Sequence, residues 1–170
     1  HCRFLSFLDS MTGWAATRDQ LTATQDGGKS WTSLVLPPGI QKITAIALRT
    51  ASEGYVLDSG ANLFVTQDGG RTWSAHVLAP LVEEGASQIL WSPPTAAVRF
   101  MDSTHGLVVM GFETSGSYKD QLVALRTSDG GQTWSGPERV FTGLTNCPAD
   151  WSFSLDSNGR LWLIRIPQPG

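Results

Sequence analysis

Three aspartates of this 170-residue chain stand in nearly identical surroundings, which makes them candidates for hydrolytic chemistry. They are Asp26, Asp68 and Asp129. Cleavage of a glycosidic bond uses two carboxylates that flank the bond, or a tyrosine nucleophile with a carboxylate partner. The chain has two tyrosines. Tyr55 lies in a predicted strand, which favours a core position, and Tyr118 lies in a predicted exposed loop.

Each aspartate belongs to an eight-residue motif, [ST]-x-Asp-Gly-Gly-x-[ST]-Trp, at 24–31, 66–73 and 127–134. Asp-Gly-Gly supplies residues that tolerate positive φ in a tight hairpin. The carboxylate and the hydroxyl groups can hydrogen-bond within their own turn, and the tryptophan can cover the hairpin as an apolar lid. Because folding one hairpin explains every residue of the motif, we prefer a structural role to a catalytic one. The predicted structural residues are Asp26, Trp31, Asp68, Trp73, Asp129 and Trp134.

A second element precedes each motif and reads as a strand, a turn that ends in glycine, and another strand. Its copies lie at 7–15 and 100–108, with a looser copy at 47–56 and a fourth that begins at Trp151. The repeat unit therefore has four short strands, with the motif between the third and the fourth. Four antiparallel strands in a repeat of about 40–50 residues are typical of a β-propeller blade.

The sequence predicts an all-β fold, with about three and a half blades in a single β-propeller module over residues 1–170. A seven-bladed ring would need roughly twice this length. The chain is therefore expected to be a fragment, to be completed by self-association or by a second chain, or to close an unusually small ring. The start at His1, without methionine, favours a processed or truncated product. The predicted blades are residues 3–36, 42–78 and 97–141, with a half blade at 151–166.

Composition excludes several classes of function. Twelve Lys and Arg against fifteen Asp and Glu give a net charge of −3, so the chain lacks the net positive charge that is typical of nucleic-acid-binding domains. The longest apolar runs are strand-sized, so none can span a bilayer. His76 and His105 have no cysteine or histidine partner at metal-ligand spacing. We therefore expect no metal and no cofactor.

The three motifs resemble the Asp-box, or BNR, repeat of sialidases, some endoglucanases, sortilin-type receptors and photosystem II assembly factors. With the preceding Asp-x-x-x-Gly hairpin, the pattern is most similar to the bacterial assembly-factor group. That resemblance implies a non-catalytic scaffold outside the cytoplasm, whose partner is a membrane-protein complex or its precursor. The alternative is a fragment of an Asp-box glycoside hydrolase. Arg165-Ile166-Pro167 resembles the sialidase Arg-Ile-Pro motif, but it follows the boxes instead of preceding them.

Two long connections are the candidate partner-binding elements, because insertions on a repeat scaffold often carry its binding function. The connection 79–96 holds Trp91, and the predicted loop 112–120 holds Phe112 and Tyr118. Aromatic residues in such loops are natural anchors for a partner protein. Local packing of Trp91 against a blade is the alternative for that residue.

The two cysteines, Cys2 and Cys147, each precede the first strand of a blade, in blades one and four. A disulfide requires Cα atoms within about 7 Å. Blades one and four would be neighbours only in a small closed ring, which the two missing strands of the half blade disfavour. We therefore predict no intrachain disulfide between these cysteines.

Overall fold

The computed structural model describes residues 4–78, 86–89, 96–114, 119–145, 150–155 and 161–166, and the regular structure among them is entirely β. The description covers the backbone alone at 86–89, 112–114, 119–122, 139–145, 150–155 and 161–166. The chain divides into two compact units, His1–Ala79 and Pro80–Gly170, and each is described by itself.

The first unit contains two four-stranded antiparallel sheets, blade 1 and blade 2, whose strands follow sequence order. This order arises because a tight connection joins each strand to its antiparallel neighbour. Blade 1 consists of β1 (Phe4–Phe7), β2 (Gly13–Ala16), β3 (Leu21–Thr24) and β4 (Thr32–Ser33). Blade 2 consists of β5 (Ile43–Leu48), β6 (Gly54–Asp58), β7 (Asn62–Thr66) and β8 (Ser74–Val77).

The second unit contains the third blade and a two-stranded sheet. A short strand, β9 (Ala86–Ile89), comes first. Blade 3 consists of β10 (Ala96–Phe100), β11 (Gly106–Thr114), β12 (Lys119–Thr127) and β13 (Ser135–Thr145). The last sheet pairs β14 (Asp150–Leu155) with β15 (Leu161–Ile166). The prediction of an all-β fold, with about three and a half antiparallel propeller blades, is confirmed.

Both long connections, 79–96 and 112–120, contain strand residues. β9 lies within 79–96 and pairs with β11 from Phe112 onward, just beyond the last pair that β10 forms, at Met110. The prediction of a loop over 112–120 was wrong at both ends, because β11 extends to Thr114 and β12 starts at Lys119. The backbone pairing of β11 with β12 continues beyond their apolar residues as far as the polar pair Glu113 and Asp120. A hydropathy pattern does not predict strand structure for such polar residues, whose backbone groups still pair.

The core of the first unit lies between blades 1 and 2. Side chains alternate between the two faces of a strand. Phe4 of β1 packs into this core, and Ser6 hydrogen-bonds to blade 2, so Leu5 and Phe7 lie on the opposite face of blade 1. The buried cluster takes residues from both blades: Trp14, Ala16, Leu21, Ile43, Ile46, Val56 and Phe64.

Cys2 and Cys147 lie outside the described residues, so the absence of a disulfide between them stays a prediction. Trp91 and Tyr118 also lie outside them. In the described part of the chain, no helix has the length and apolar character needed to cross a membrane.

Candidate functional site

The three motif aspartates form the same hydrogen-bond network in all three blades. Asp26 Oδ1 accepts from Thr24 Oγ1 at 2.8 Å and from the Ser30 backbone N–H at 2.9 Å. Asp26 Oδ2 accepts from Ser30 Oγ at 2.6 Å. The same bonds surround the other two carboxylates, from Thr66 and Thr72 to Asp68, and from Thr127 and Thr133 to Asp129.

The threonine that opens each motif is a buried member of the network, and the sequence interpretation did not single it out. Oγ1 of Thr24, Thr66 and Thr127 accepts a hydrogen bond from the N–H of the second motif glycine, at 2.9 Å in each copy. The same hydroxyl donates to the aspartate, so all of its hydrogen-bonding capacity serves the turn. The signal was present in the sequence, since threonine stands at this position in all three copies.

A backbone hydrogen bond ties each motif to the preceding hairpin of its blade. The first motif glycine donates to a carbonyl of the turn between the first two strands, and it has a φ of 73° to 76°, where glycine is favoured. The two hairpins at this end of each blade are therefore joined directly. The pairs are Gly27 to Met11 (2.9 Å), Gly69 to Ser52 (2.7 Å) and Gly130 to Thr104 (2.8 Å).

These hydrogen bonds hold the pKa of all three carboxyl groups well below the ordinary value. For Asp26, the Ser30 hydroxyl, the Ser30 N–H and the Thr24 hydroxyl lower the pKa to about 2. Asp68 and Asp129 shift in the same direction, with Thr72 and Thr133 as the main causes. A general acid or base works best with a pKa near the operating pH. The motif carboxylates are thus suited to holding a turn and poorly suited to proton transfer.

The lowered pKa values predict a loss of stability in acid. A carboxyl whose folded pKa is depressed stabilises the protein above its unfolded pKa, and this contribution disappears as the pH falls through the folded pKa. For Asp26 that window extends from about 4 down to about 2. Chemical denaturation from pH 7 to pH 2 should show Asp26→Asn to be less stable than wild type at pH 7, with the difference closing across this window.

The same experiment contains its own control, because all other acidic groups titrate in both proteins. A stability difference that stays constant from pH 7 to pH 2 would show that the charge of Asp26 contributes nothing to the hairpin.

A family model, described as the BNR/Asp-box repeat, matches residues 64–75, which include the whole of the second motif. The hydrogen-bond network of that motif recurs around Asp26 and Asp129. This chain carries BNR/Asp-box repeats. A search of curated protein sequences gives no significant match.

Solved structures with a similar fold include two GH74 enzymes. One is from Niastella koreensis, with a TM-score of 0.55, 13% identity, and coverage of 96% of this chain and 26% of that chain. The other is an ancestral GH74 enzyme, with a TM-score of 0.57, 16% identity, and coverage of 95% and 21%. At such identities the similarity shows the fold alone, and this chain spans about a quarter of those enzymes.

Two YCF48 structures also match. YCF48 from Cyanidioschyzon merolae has a TM-score of 0.46, 14% identity, and coverage of 95% of this chain and 76% of that chain. YCF48 bound to D1 peptide has a TM-score of 0.42, 18% identity, and coverage of 79% and 66%.

The tryptophans of the three BNR hairpins occupy two kinds of environment. Trp31 and Trp134 donate through Nε1 to a carbonyl of their own hairpin and lie edge-on to Phe7 and Phe100 of the same blade. Trp73 instead donates to the Val35 carbonyl at 2.9 Å, in the segment between blades 1 and 2. Trp73 therefore links two blades, whereas the other two tryptophans stay within one.

An aromatic ring covers the glycine that begins the second strand of each blade. In blades 1 and 3 the blade supplies its own ring, since Phe7 lies over Gly13 and Phe100 over Gly106. Blade 2 has Leu48 at this position, and Trp14 of blade 1 covers Gly54 instead. Trp73 packs on Trp14, with ring centroids 5.9 Å apart. The sequence analysis did not predict that Trp14 covers Gly54. The signal was Leu48, which stands where the other two blades have phenylalanine.

The other candidate residues do not converge on a catalytic group among the described residues. Tyr55 is fully buried and donates to Glu53, and burial raises the pKa of its hydroxyl, which makes it a poor nucleophile. His105 pairs with Asp102 in an exposed turn. Over the same residues, no three His, Cys, Asp or Glu side chains lie together as a metal site requires. Phe112 belongs to β11, where only its backbone is described.

One surface of the first unit exposes large apolar side chains. Leu5, Phe7 and Trp31 lie on the side of blade 1 away from blade 2, with exposed fractions of 64%, 46% and 39%. We call these three residues the open face. Met11, which is also exposed, lies in the adjoining turn. The open face is the candidate interaction surface.

Proposed function

We propose that this chain is a non-catalytic β-propeller scaffold that binds a protein partner through the open face. The exposure of Leu5, Phe7 and Trp31 side by side carries this proposal. Large contiguous apolar patches are rare on the surface of monomeric soluble proteins, and where they occur they commonly mark an interaction site. Aromatic side chains near the centre of such a patch commonly supply much of the binding energy.

The partner that the Asp-box resemblance suggests is a membrane-protein complex or its precursor, met outside the cytoplasm. In this proposal residues 1–170 act as one propeller module, with the BNR hairpins as its structural supports. The sequence-based candidates Trp91, Phe112 and Tyr118 form a second proposed binding element.

A fragment of an Asp-box glycoside hydrolase is the alternative. Such an enzyme uses a pair of carboxylates, or a tyrosine with a carboxylate partner, around one pocket, whereas the three motif carboxylates each accept at least three hydrogen bonds within their own hairpin. Turnover of a chromogenic glycoside by the purified chain would favour the hydrolase over the scaffold.

Site-specific photo-crosslinking in the producing cells tests the scaffold proposal. A photoreactive amino acid replaces Leu5 in one variant and Tyr118 in a second. A third variant carries it at Val77, which is similarly exposed but lies on blade 2. We expect a defined protein adduct at Leu5 that is absent at Val77. Equal labelling at both positions, or none at Leu5, would contradict binding through the open face.

A further inference from the structure

Each BNR hairpin contains an Asp-Gly peptide bond, which is a chemically labile sequence. The bonds follow Asp26, Asp68 and Asp129. In the reaction, the glycine backbone nitrogen loses its proton and attacks Cγ of the protonated aspartic acid. The new N–Cγ bond closes a five-membered succinimide, and the Cγ–OH group leaves as water. Water then opens the ring at either carbonyl and yields aspartate or isoaspartate. Glycine favours this reaction because it has no side chain to restrict the approach of the two groups.

The folded hairpin occupies the nitrogen that would attack. The backbone N–H of Gly27 donates to the Met11 carbonyl at 2.9 Å, and the N–H of Gly69 donates to the Ser52 carbonyl at 2.7 Å. A base from solvent can remove such a proton only after the hydrogen bond opens. Attack therefore requires the motif hairpin to separate from the preceding hairpin of its blade.

The same hairpin keeps the carboxyl group in its unreactive form. Ring closure needs a protonated carboxyl, because a carboxylate is a poor electrophile. Hydrogen bonds from the Ser30 hydroxyl, the Ser30 N–H and the Thr24 hydroxyl lower the pKa of Asp26 to about 2. These bonds also direct both carboxylate oxygens towards Thr24 and Ser30. At neutral pH the closed hairpin therefore opposes the reaction at both of its reacting groups.

The three hairpins hold their aspartates to different degrees. Among the described residues, the Asp26 carboxylate accepts from three donors, whereas Asp68 has a fourth, the Arg71 backbone N–H at 2.9 Å. At Asp129 the Thr133 N–H lies within hydrogen-bond distance of both carboxylate oxygens, at 2.9 and 3.0 Å. The second motif glycine is buried in these two hairpins and partly exposed in the first. The hairpin of Asp26 should therefore open most often.

We propose that the closed BNR hairpin protects its Asp-Gly bond from isomerisation, and that Asp26-Gly27 is the site where isoaspartate first forms in the folded chain. Isoaspartate adds one carbon to the main chain, so an isomerised turn cannot re-form the same hydrogen bonds. The modification would then keep the hairpin of blade 1 open. The inference is independent of the proposed function, because it requires no partner.

Peptide mapping of the purified 170-residue chain after incubation at neutral pH, folded or in denaturant, tests the inference. Trypsin places the three motif aspartates in separate peptides, 19–29, 50–71 and 127–139. Chromatography separates the isoaspartate forms, and electron-transfer fragmentation locates the modified residue. We expect similar rates at all three sites in denaturant. Folding should slow each rate by roughly tenfold or more, with Asp26 modified before the other two.

Thr72→Val tests the role of the hydrogen bonds directly, because it removes the hydroxyl that donates to Asp68 at 2.6 Å. Isomerisation at Asp68 should accelerate by roughly threefold to tenfold, without a change at Asp26. Thr44→Val is the matched control, since it removes a hydroxyl of the same blade that donates to the Leu57 carbonyl at 3.1 Å. This control should isomerise like wild type at both aspartates.

Circular dichroism shows whether each variant is folded, and Thr133→Val makes the same test at Asp129 if Thr72→Val does not fold. Equal rates in the folded and the denatured chain overturn the inference. So does a folded Thr72→Val variant whose rate at Asp68 is unchanged, or whose rates at Asp26 and Asp68 rise equally. Modification of Asp68 or Asp129 before Asp26 in the folded chain refutes the assignment of the first site.

Discussion

Replacing Trp73 with alanine will destabilise the first unit by roughly 3–5 kcal/mol. The indole packs on Trp14, with 5.9 Å between the ring centroids, and contributes to the cluster between blades 1 and 2. Its removal also leaves the Val35 carbonyl without the hydrogen bond from Nε1. Denaturant unfolding followed by far-UV circular dichroism measures this loss independently of tryptophan fluorescence.

Trp31→Ala is the matched control, because it deletes the same side chain from the same motif position. Trp31 is 39% exposed and packs on Phe7, itself 46% exposed. We expect a cost of about 1–2 kcal/mol for this variant. Equal costs for Trp73 and Trp31, or a cost below about 1 kcal/mol for Trp73→Ala, would contradict the assignment of Trp73 as the link between the blades.

Gly54→Ala should cost roughly 2–3 kcal/mol, because the added methyl group would overpack a buried contact. A Cβ at this position would lie 2.3 Å from Cη2 of Trp14. Trp14 is 3% exposed and is enclosed by residues of both blades, so the ring has little room to move. The same unfolding experiment gives the size of the effect.

Gly13→Ala provides the comparison in blade 1. A Cβ there would meet Phe7 at 2.6 Å, but Phe7 faces outward and can swing towards solvent. We expect a change below about 1 kcal/mol, since the alanine also reduces the entropy of the unfolded chain. Trp14→Leu combined with Gly54→Ala should recover part of the Gly54→Ala cost. Full additivity of the two changes would rule out the proposed clash.

The sequence predicted the features that depend on neighbouring residues. The BNR hairpins join residues at most four positions apart through hydrogen bonds of the Asp26 type, so their composition reveals them. The short strands follow from alternation and turn residues in the same way. Blade architecture then follows from the repeat itself.

Contacts between distant residues were harder to predict. Trp31 and Trp73 occupy the same motif position, yet their partners differ because Leu48 replaces the phenylalanine found at Phe7. β9 was missed since its pairing with β11 depends on the backbone of a strand whose length hydropathy did not show. The open face could not be predicted because the alternation of side chains along β1 does not show which of its two sides faces the core.

The locality of the aspartate network has a consequence for the order of folding. Loops that close over four residues form far faster than contacts between blades, since loop-closure entropy grows with chain separation. Each hairpin can therefore assemble before its blade has a neighbour, and Trp14 can reach Gly54 only when two preformed sheets meet. Mutations such as Asp26→Asn should then slow the folding rate, whereas Trp73→Ala should mainly accelerate unfolding.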